Sequence, residues 1–354
     1  MPLFFSFRER LAAAWRITRA PEWWQHKIPV LVGVACLVAV AERLSFADAW
    51  PRLAIAIMLL VPLASYVCVL NDLTDEADDR AAGKLNRLAG RSVRFKAGLL
   101  GATIVSGAAA AAGLIHDRPV ALLLYAADWI AFTLYSVAPI RLKRRGGWGV
   151  LADACGGQLL PVLGVAAVMT PADQSLPPPP LTAALALWAL AVGIRAILFH
   201  QAADIEADRL SVTPTLVVRV GPERVARFVR FGVFPVEVAA LLALTWLGGW
   251  WPAWLGIVGY AVMLLVQKHW LGIVPVVALP AARCRPLLMK YYQFFLPLTW
   301  ILAWGTFSSM AWILVPLFIL LFPDGWRRGP GYVRHIRRAL AAESSHSSGG
   351  ATPL

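Results

Sequence analysis

Residues 53–70 read LAIAIMLLVPLASYVCVL and residues 71–79 read NDLTDEADD, so an apolar run long enough to cross a bilayer ends in five acidic residues within nine positions. The apolar half decides the fold. A transmembrane helix needs about 20 mostly apolar residues, and comparable runs recur along the whole chain. The chain has 354 residues, of which 59% are hydrophobic and 15% charged, and its mean hydropathy is +0.65. A soluble domain would carry about 25% charged residues. The expected class is all-α, a polytopic helical membrane protein of about nine transmembrane helices. The weak alternating pattern of a membrane β-barrel is missing.

Spans are expected at 28–44, 53–70, 95–115, 119–138, 150–170, 181–200, 228–248, 253–278 and 291–322. Ahead of them, residues 1–27 are basic, aromatic and amphipathic, with no cleavable leader visible, and read as a helix lying on the membrane surface. Residues 28–322 form one transmembrane domain, and 323–354 form a basic tail whose final stretch, ESSHSSGGATPL, has a disordered composition. The segment 291–322 is about 48 Å long as a helix, and Pro297, Gly305 and Pro316 interrupt it, so one tilted helix and two short ones are both open.

The connections alternate in charge. Lys and Arg crowd 71–94, 139–149, 201–230 and 281–290, whereas HDRP, PADQSLPPPP and GGWWPAW share a single Arg. Cytoplasmic loops carry the excess of positive charge, so the basic connections and the N-terminus are expected on that side of a bacterial plasma membrane. Nine spans would then put the basic GWRRGPGYVRHIRRAL outside, against the same rule. The net charge of +13 is explained by this topology and by attraction to anionic lipid, with no nucleic acid partner needed. The four cysteines, Cys36, Cys68, Cys155 and Cys284, have no metal-binding spacing and read as small core residues.

If 71–79 continues the second span, Asp72, Asp75 and Asp79 share one helix face, with Asn71 beside Asp75. Like charges at a helix C-terminus oppose both one another and the dipole. Either this is a solvated helix end offset by Arg80 and Lys84, or a cation belongs there. Carboxylates and an amide oxygen suit Mg²⁺. A second cluster, HQAADIEADR at 200–209, follows the sixth span, with Asp204 and Asp208 four residues apart. Facing each other, the two clusters would hold two Mg²⁺ ions bridging a diphosphate.

The motifs resemble those of the UbiA superfamily of intramembrane prenyltransferases. Its pattern N-D-x-x-D-x-x-x-D after the second helix is met by Asn71, Asp72, Asp75 and Asp79, and its D-x-x-x-D after the sixth by Asp204 and Asp208. Tyr135, Ser136, Pro139, Arg141 and Lys143 match a further element before the fifth helix, DRLSVTPTLVVRVG resembles the tail of the second motif, and RAPEWWQHK loosely matches the family's start. Two departures stand out: His200–Gln201 occupies the place where many members carry a third acidic residue, and NRLAGRS replaces the usual NRPxRP.

The resemblance implies helices around a central chamber, with Mg²⁺ on the Asp clusters and a prenyl diphosphate as donor. It implies a lipid-soluble acceptor, hydrophobic or aromatic, with membrane lipid as the surroundings. Lys84, Arg87, Arg141 and Lys143 are then the expected phosphate cations. Tyr125, Trp129 and Tyr135 are candidates to face an allylic cation, with ordinary packing as the alternative. Among the charges inside spans, Asp128 and Arg195 are expected either to pair with each other or to act in the chemistry, and Glu237 also lies within a span. Asp153 is a candidate to orient an acceptor hydroxyl, His200 to take a proton one turn below the metals, and Gln201 to hydrogen-bond the acceptor. His116 and His269 read as structural. Two other functions stay open: a terpene cyclase, which ionises the same diphosphate without an acceptor, and a divalent-cation carrier. A carrier would place its carboxylates at mid-membrane in symmetric halves, whereas these lie at one end of their helices.

Overall fold

The computed structural model describes residues 7–210, 213–249, 251 and 253–327. The first six residues and the tail beyond 327, including the stretch expected to be disordered, lie outside the described residues. Among the described residues, seven helices are long and apolar enough to cross a membrane: Ala20–Ala41, Phe46–Thr74, Val93–Leu114, Pro119–Ser136, Gly147–Met169, Pro179–Ala203 and Pro222–Leu247.

The first span begins earlier than expected. After α1 (Phe7–Ile17), Arg19 turns the chain with a φ of 56°, and α2 (Ala20–His26) runs into α3 (Ile28–Ala41). Helical bonding continues across Lys27, whose N–H reaches Trp23 O at 2.8 Å and whose carbonyl accepts from Leu31 N at 3.3 Å. Only α1 is left for the surface role. The second span, α4 (Phe46–Thr74), is capped by Ser45, which accepts from Asp48 N at 3.2 Å. A short α5 (Glu76–Ala81) follows. Next come α6 (Val93–Leu114), α7 (Pro119–Ser136) and α8 (Gly147–Met169), the last interrupted by a π-turn at Cys155–Leu159.

Helix α9 (Pro179–Ala203) leads to α10 (Ile205–Leu210), α11 (Leu216–Val220) and α12 (Pro222–Leu247). The expected span 253–278 is shorter in the structure. Helix α13 (Ala253–Leu271) stops at Gly272, which has a φ of 62° as helix-ending glycines often do. The chain beyond it forms β1 (Val274–Val276), paired in parallel with β2 (Cys284–Pro286). The segment 291–322 is two pieces. A π-turn at Tyr291–Phe295 leads into α14 (Leu296–Gly305), and α15 (Leu314–Leu321) follows a 3-10 turn at Ser309–Ile313. The chain folds back after Gly305, where an added Cβ would lie 2.7 Å from the Trp312 ring. Among the described residues, seven helices, against the nine spans expected, are long and apolar enough to cross a membrane.

Helices α6 and α7 are only 17% and 22% buried along their apolar windows and turn Ile104, Val105, Leu123 and Ile130 outward, as lipid-facing helices do. The core lies between α3, α4, the second half of α8, α9 and α14, around the buried Trp188, Trp300 and Trp304. Helix α9 packs on α12, and on α8 through Gly193, where a Cβ would stand 2.8 Å from the Ala154 backbone. Arg195 and Glu237 join α9 to α12 by two bonds of 2.5 and 2.6 Å, and Tyr292 Oη donates to Glu237 at 2.8 Å. Arg195 does not pair with Asp128. Glu237 takes it because a two-pronged carboxylate on the packed neighbour satisfies the guanidinium fork.

Candidate active site

Both acidic stretches are built the same way. Helix α4 ends at Asp75 with φ −105° and ψ 2°, and α9 ends at Asp204 with φ −97° and ψ 7°. Each is followed by a six-residue helix, α5 or α10. Both breaks fall on Asp, whose short carboxylate competes with the helical backbone. The expected continuous face of Asp72, Asp75 and Asp79 is therefore corrected: the break separates Asp72 from the other two.

Asp75, Asp79, Asp204 and Asp208 line one cavity of ≈ 160 Å³, with Asp78, Lys84, Tyr135, Lys143, His200 and Gln201. Lys84, on the loop after α5, donates to Asp204 Oδ2 at 2.7 Å and so crosses from the first acidic stretch to the second. Lys143 is bonded to Asp75 Oδ1. Asn86 donates to Asp79 Oδ2 at 2.8 Å, and Thr215 to Asp208 Oδ2 at 3.1 Å. Burial raises the Asp208 carboxyl above the usual range, against the Thr215 hydroxyl and the charge of Lys84. Burial likewise lowers the Lys143 ammonium, which the Asp75 charge opposes.

Asp75, Asp79 and Asp204 lean on Lys143, Asn86 and Lys84, and Asp208 leans on the Thr215 hydroxyl. Among the described residues no three His, Cys, Asp or Glu side chains converge as a ready metal cage. The donor types nevertheless fit Mg²⁺. Five Asp against two Lys line the cavity, a negative excess of all-oxygen ligands that a divalent cation would neutralise.

The other expected cations are placed differently. Arg141, at a left-handed φ of 39°, donates to Thr74 O at 2.8 Å and to Asp75 and Asp78 at 3.0 Å each. It braces the back of the first stretch. Arg87 donates to Glu22 at 2.6 Å and does not line the cavity, because the N-terminal helix offers it a carboxylate. Asp72 is only 3% exposed; its Oδ2 accepts from Arg87 N at 3.3 Å, and its Oδ1 lies 3.6 Å from Arg19. Asp72 thus ties the 86–88 loop to α4, with its carboxylate off the cavity.

His200 lines the cavity rim with its side chain 73% exposed and its Nε2 3.8 Å from Asp204, so it does not reach a deeper chamber as expected. Gln201 is buried, and its Oε1 accepts from Val217 N at 3.4 Å, which uses it to hold α11. The sequence reading passed over Asp78, Thr213 and Thr215, which also line the cavity. Asp78 was visible one helical turn after Asp75, and its pairing with Arg144 at 2.7 Å explains why it stays there.

A second cavity of ≈ 240 Å³ lies among α2, α3, α4, α7 and α8 and is mostly apolar, with Leu31, Leu60, Leu63 and Phe132 in its wall. Asn71 reaches it, one turn before Asp75, and its Oδ1 accepts from Ser136 at 2.5 Å. Lys27, Asp128 and Asp153 also line this chamber. Of the proposed cation-facing rings, Tyr135 lines the acidic cavity. Trp129 packs on Tyr66 at 4.3 Å, and Tyr125 donates to Leu59 O at 3.1 Å, so both serve the packing of α7 on α4.

A family model described as the UbiA prenyltransferase family matches residues 28–274. Among solved structures, a UbiA homolog from Archaeoglobus fulgidus bound to GPP and Mg²⁺ matches with a TM-score of 0.57 at 16% identity, over 84% of this chain and 99% of that one. The homolog from the same organism bound to DMAPP and Mg²⁺ gives 0.54 at 15% identity, with the same coverage. At such identity the likeness is one of fold. No curated protein sequence matches this chain.

Proposed function

Since the chain belongs to the UbiA prenyltransferase family, we propose that this integral membrane protein transfers a prenyl group from an allylic diphosphate to a lipid-soluble acceptor, with release of pyrophosphate. The observation that carries the reading is the single cavity where Asp75, Asp79, Asp204 and Asp208 meet Lys84 and Lys143, one helical turn from an apolar chamber. A diphosphate is itself multiply anionic, so it enters a site with this acidic excess only together with divalent cations.

Asp75, Asp79, Asp204 and Asp208 would hold Mg²⁺, which supplies Lewis-acid stabilisation of the leaving pyrophosphate. Lys84 and Lys143 are positioned to exchange their aspartate partners for phosphate oxygens. Asp72, Arg87 and Arg141 position the loops that carry those groups. The apolar chamber receives the prenyl chain and keeps water from the allylic cation. The Mg²⁺ and prenyl diphosphate of the A. fulgidus homolog support this reading, and the basic connections favour a cytoplasmic side for the acidic cavity. Cyclisation without an acceptor needs the same acidic cavity; the polar side chains of Lys27, Asp128 and Asp153 in the chamber wall favour an acceptor with a polar group.

The test is turnover. Purified protein with prenyl diphosphates of several lengths should release pyrophosphate only when Mg²⁺ is present, and mass spectrometry identifies the products with and without acceptors. Release that is independent of Mg²⁺, or unchanged in Asp204→Asn, overturns the reading.

A further inference from the structure

A further cavity, of ≈ 490 Å³, carries the opposite charge to the acidic one. It lies among α2, α8, α9 and the segment 285–293, with His26, Lys27, Arg285 and Lys290 in its wall and Asp324 as the carboxylate among its lining residues. Arg285 and Lys290 alone outnumber that carboxylate, so the wall is net positive before His26 and Lys27 are counted. None of these four basic residues lines the acidic cavity. The volume falls within the range of ligand pockets, about 300–1,000 Å³.

Arg285, Lys290 and Asp324 also line an adjoining cavity of ≈ 270 Å³. The rest of its wall is mainly apolar: Met263 and Val266 of α13, Phe294 and Phe295 of the π-turn, and Trp326. These three charged residues thus stand on the boundary between a cationic compartment and an apolar one. On its outer face α13 turns Val262 and Leu265 outward, as a lipid-facing helix does. The half-exposed Trp326 suits the membrane–water interface, where tryptophans collect.

The boundary is built rather than loose. Arg285 sits in β2, Leu287 N donates to Val276 O at 2.8 Å, and Leu288 N donates to Tyr260 Oη at 2.7 Å. Leu288 has a φ of 67°, a conformation rare outside glycine that persists only where the surroundings fix it. Across the cavity Gln25 accepts from Asp324 N at 3.4 Å and donates to Leu321 O at 3.2 Å, which pins Asp324 beside α2. Two buried amides, Gln158 and Gln293, complete the polar wall.

We propose that the two cavities are the head and chain compartments for one phospholipid, singly anionic and with a hydroxyl-bearing head. The Arg285 fork and the Lys290 ammonium take the phosphodiester oxygens, and Gln158 and Gln293 take the head hydroxyls. An acyl chain lies along Val266, Phe294 and Phe295. Basic pockets between membrane helices hold such heads. The single positive excess of Arg285 and Lys290 over Asp324 matches one phosphodiester. A choline head would add a cation to a wall that already has an excess, and free phosphate would leave the apolar compartment unused. The site is separate from the diphosphate chemistry and does not depend on which reaction the acidic cavity performs.

The experiment titrates delipidated protein in neutral detergent with phosphatidylglycerol or with phosphatidylcholine of the same chains. Native mass spectrometry counts bound lipid, and the thermal midpoint is followed alongside. Wild type should prefer phosphatidylglycerol on the order of 10-fold, and that lipid should raise its midpoint. Arg285→Gln/Lys290→Gln should lose the preference and the rise. Arg224→Gln/Arg227→Gln, which removes two exposed cations elsewhere, should keep both and so separates the site from the general attraction of a basic chain. Val266→Phe narrows the apolar compartment, leaves the cations in place, and should weaken phosphatidylglycerol binding on the order of 10-fold. An excess of sn-glycerol 3-phosphate should not displace the lipid. Equal binding of the two lipids by wild type, an equal loss in the Arg224/Arg227 control, unchanged binding in Val266→Phe, or displacement by glycerol phosphate overturns the site. If Arg285→Gln/Lys290→Gln does not fold, Val266→Phe and the glycerol phosphate arm decide.

Discussion

Glu237→Leu gives the sharpest test of what holds the helices around the site. Glu237 and Arg195 are 0% and 2% exposed, and the carboxylate takes two bonds from the guanidinium and one from Tyr292. Removing one member leaves a guanidinium buried without its counter-charge, a loss of about 3–5 kcal/mol for such pairs, with about 1 kcal/mol more for the Tyr292 hydroxyl. At roughly 2–4 °C per kcal/mol for domains somewhat smaller than this one, the thermal midpoint should fall by on the order of 10 °C. The double variant Arg195→Met/Glu237→Leu removes both charges and should recover most of the loss, because apolar replacement of a whole buried pair is often neutral or stabilising. Intrinsic fluorescence reads the midpoint directly, since the chain carries 16 Trp. A single variant as stable as wild type, or a double variant no better than the single, would refute the claim that this pair joins α9 to α12.

Three further outcomes are expected. Asp75→Asn and Asp204→Asn should each abolish Mg²⁺-dependent pyrophosphate release without loss of folded protein, whereas Glu206→Gln, on an exposed residue paired with Arg209, should keep wild-type rates; the same pyrophosphate assay reads all three. Mg²⁺ affinity should fall on acidification and do so at a higher pH than an ordinary aspartate dictates, because burial raises the Asp208 carboxyl and a bound proton competes with the metal. Metal titrations across pH check this, and Asp208→Asn should flatten the profile. Gln201→Leu should free the Val217 N–H and speed hydrogen exchange in α11 by on the order of 10-fold, with no change in exchange along α4.

Spans with strong apolar runs and basic flanks were legible from sequence because membrane helices satisfy their own backbone and leave length and hydropathy as the main signals. The C-terminal third resisted for the same reason in reverse. Gly272 and Gly305 break segments whose composition stays apolar, and only the close approach of Trp312 to Gly305 explains the second break. In the acidic stretches the residue types were readable, but their facing was not. A helical wheel puts Asp72 with Asp75, and it takes the break at Asp75 and the competing bonds from Arg87 and Arg19 to part them. Likewise Asp128 and Arg195 were both visible as intramembrane charges. Which partner Arg195 takes depends on α9 packing against α12, a long-range fact with no local signature.

The two acidic stretches also explain each other. Each ends a long helix at an aspartate and restarts at once in a helix of six residues, so each offers carboxylates from a helix end and from the short helix after it. Among the described residues no three metal-ligating side chains converge, within either stretch or across the two, and Lys84 already spans from one to the other, over 120 residues of sequence, to reach Asp204. On the proposed function, metal and diphosphate would have to arrive as a charge-balanced set: the cations would answer the aspartates, and the phosphates would draw Lys84 and Lys143 away from them. Neither component alone resolves the charges of the cavity. Metal without diphosphate would face the two ammoniums, and diphosphate without metal would face five carboxylates. The lysines that hold the cavity together in this structure are thus the groups whose change of partner would couple metal binding to substrate binding under the proposed function.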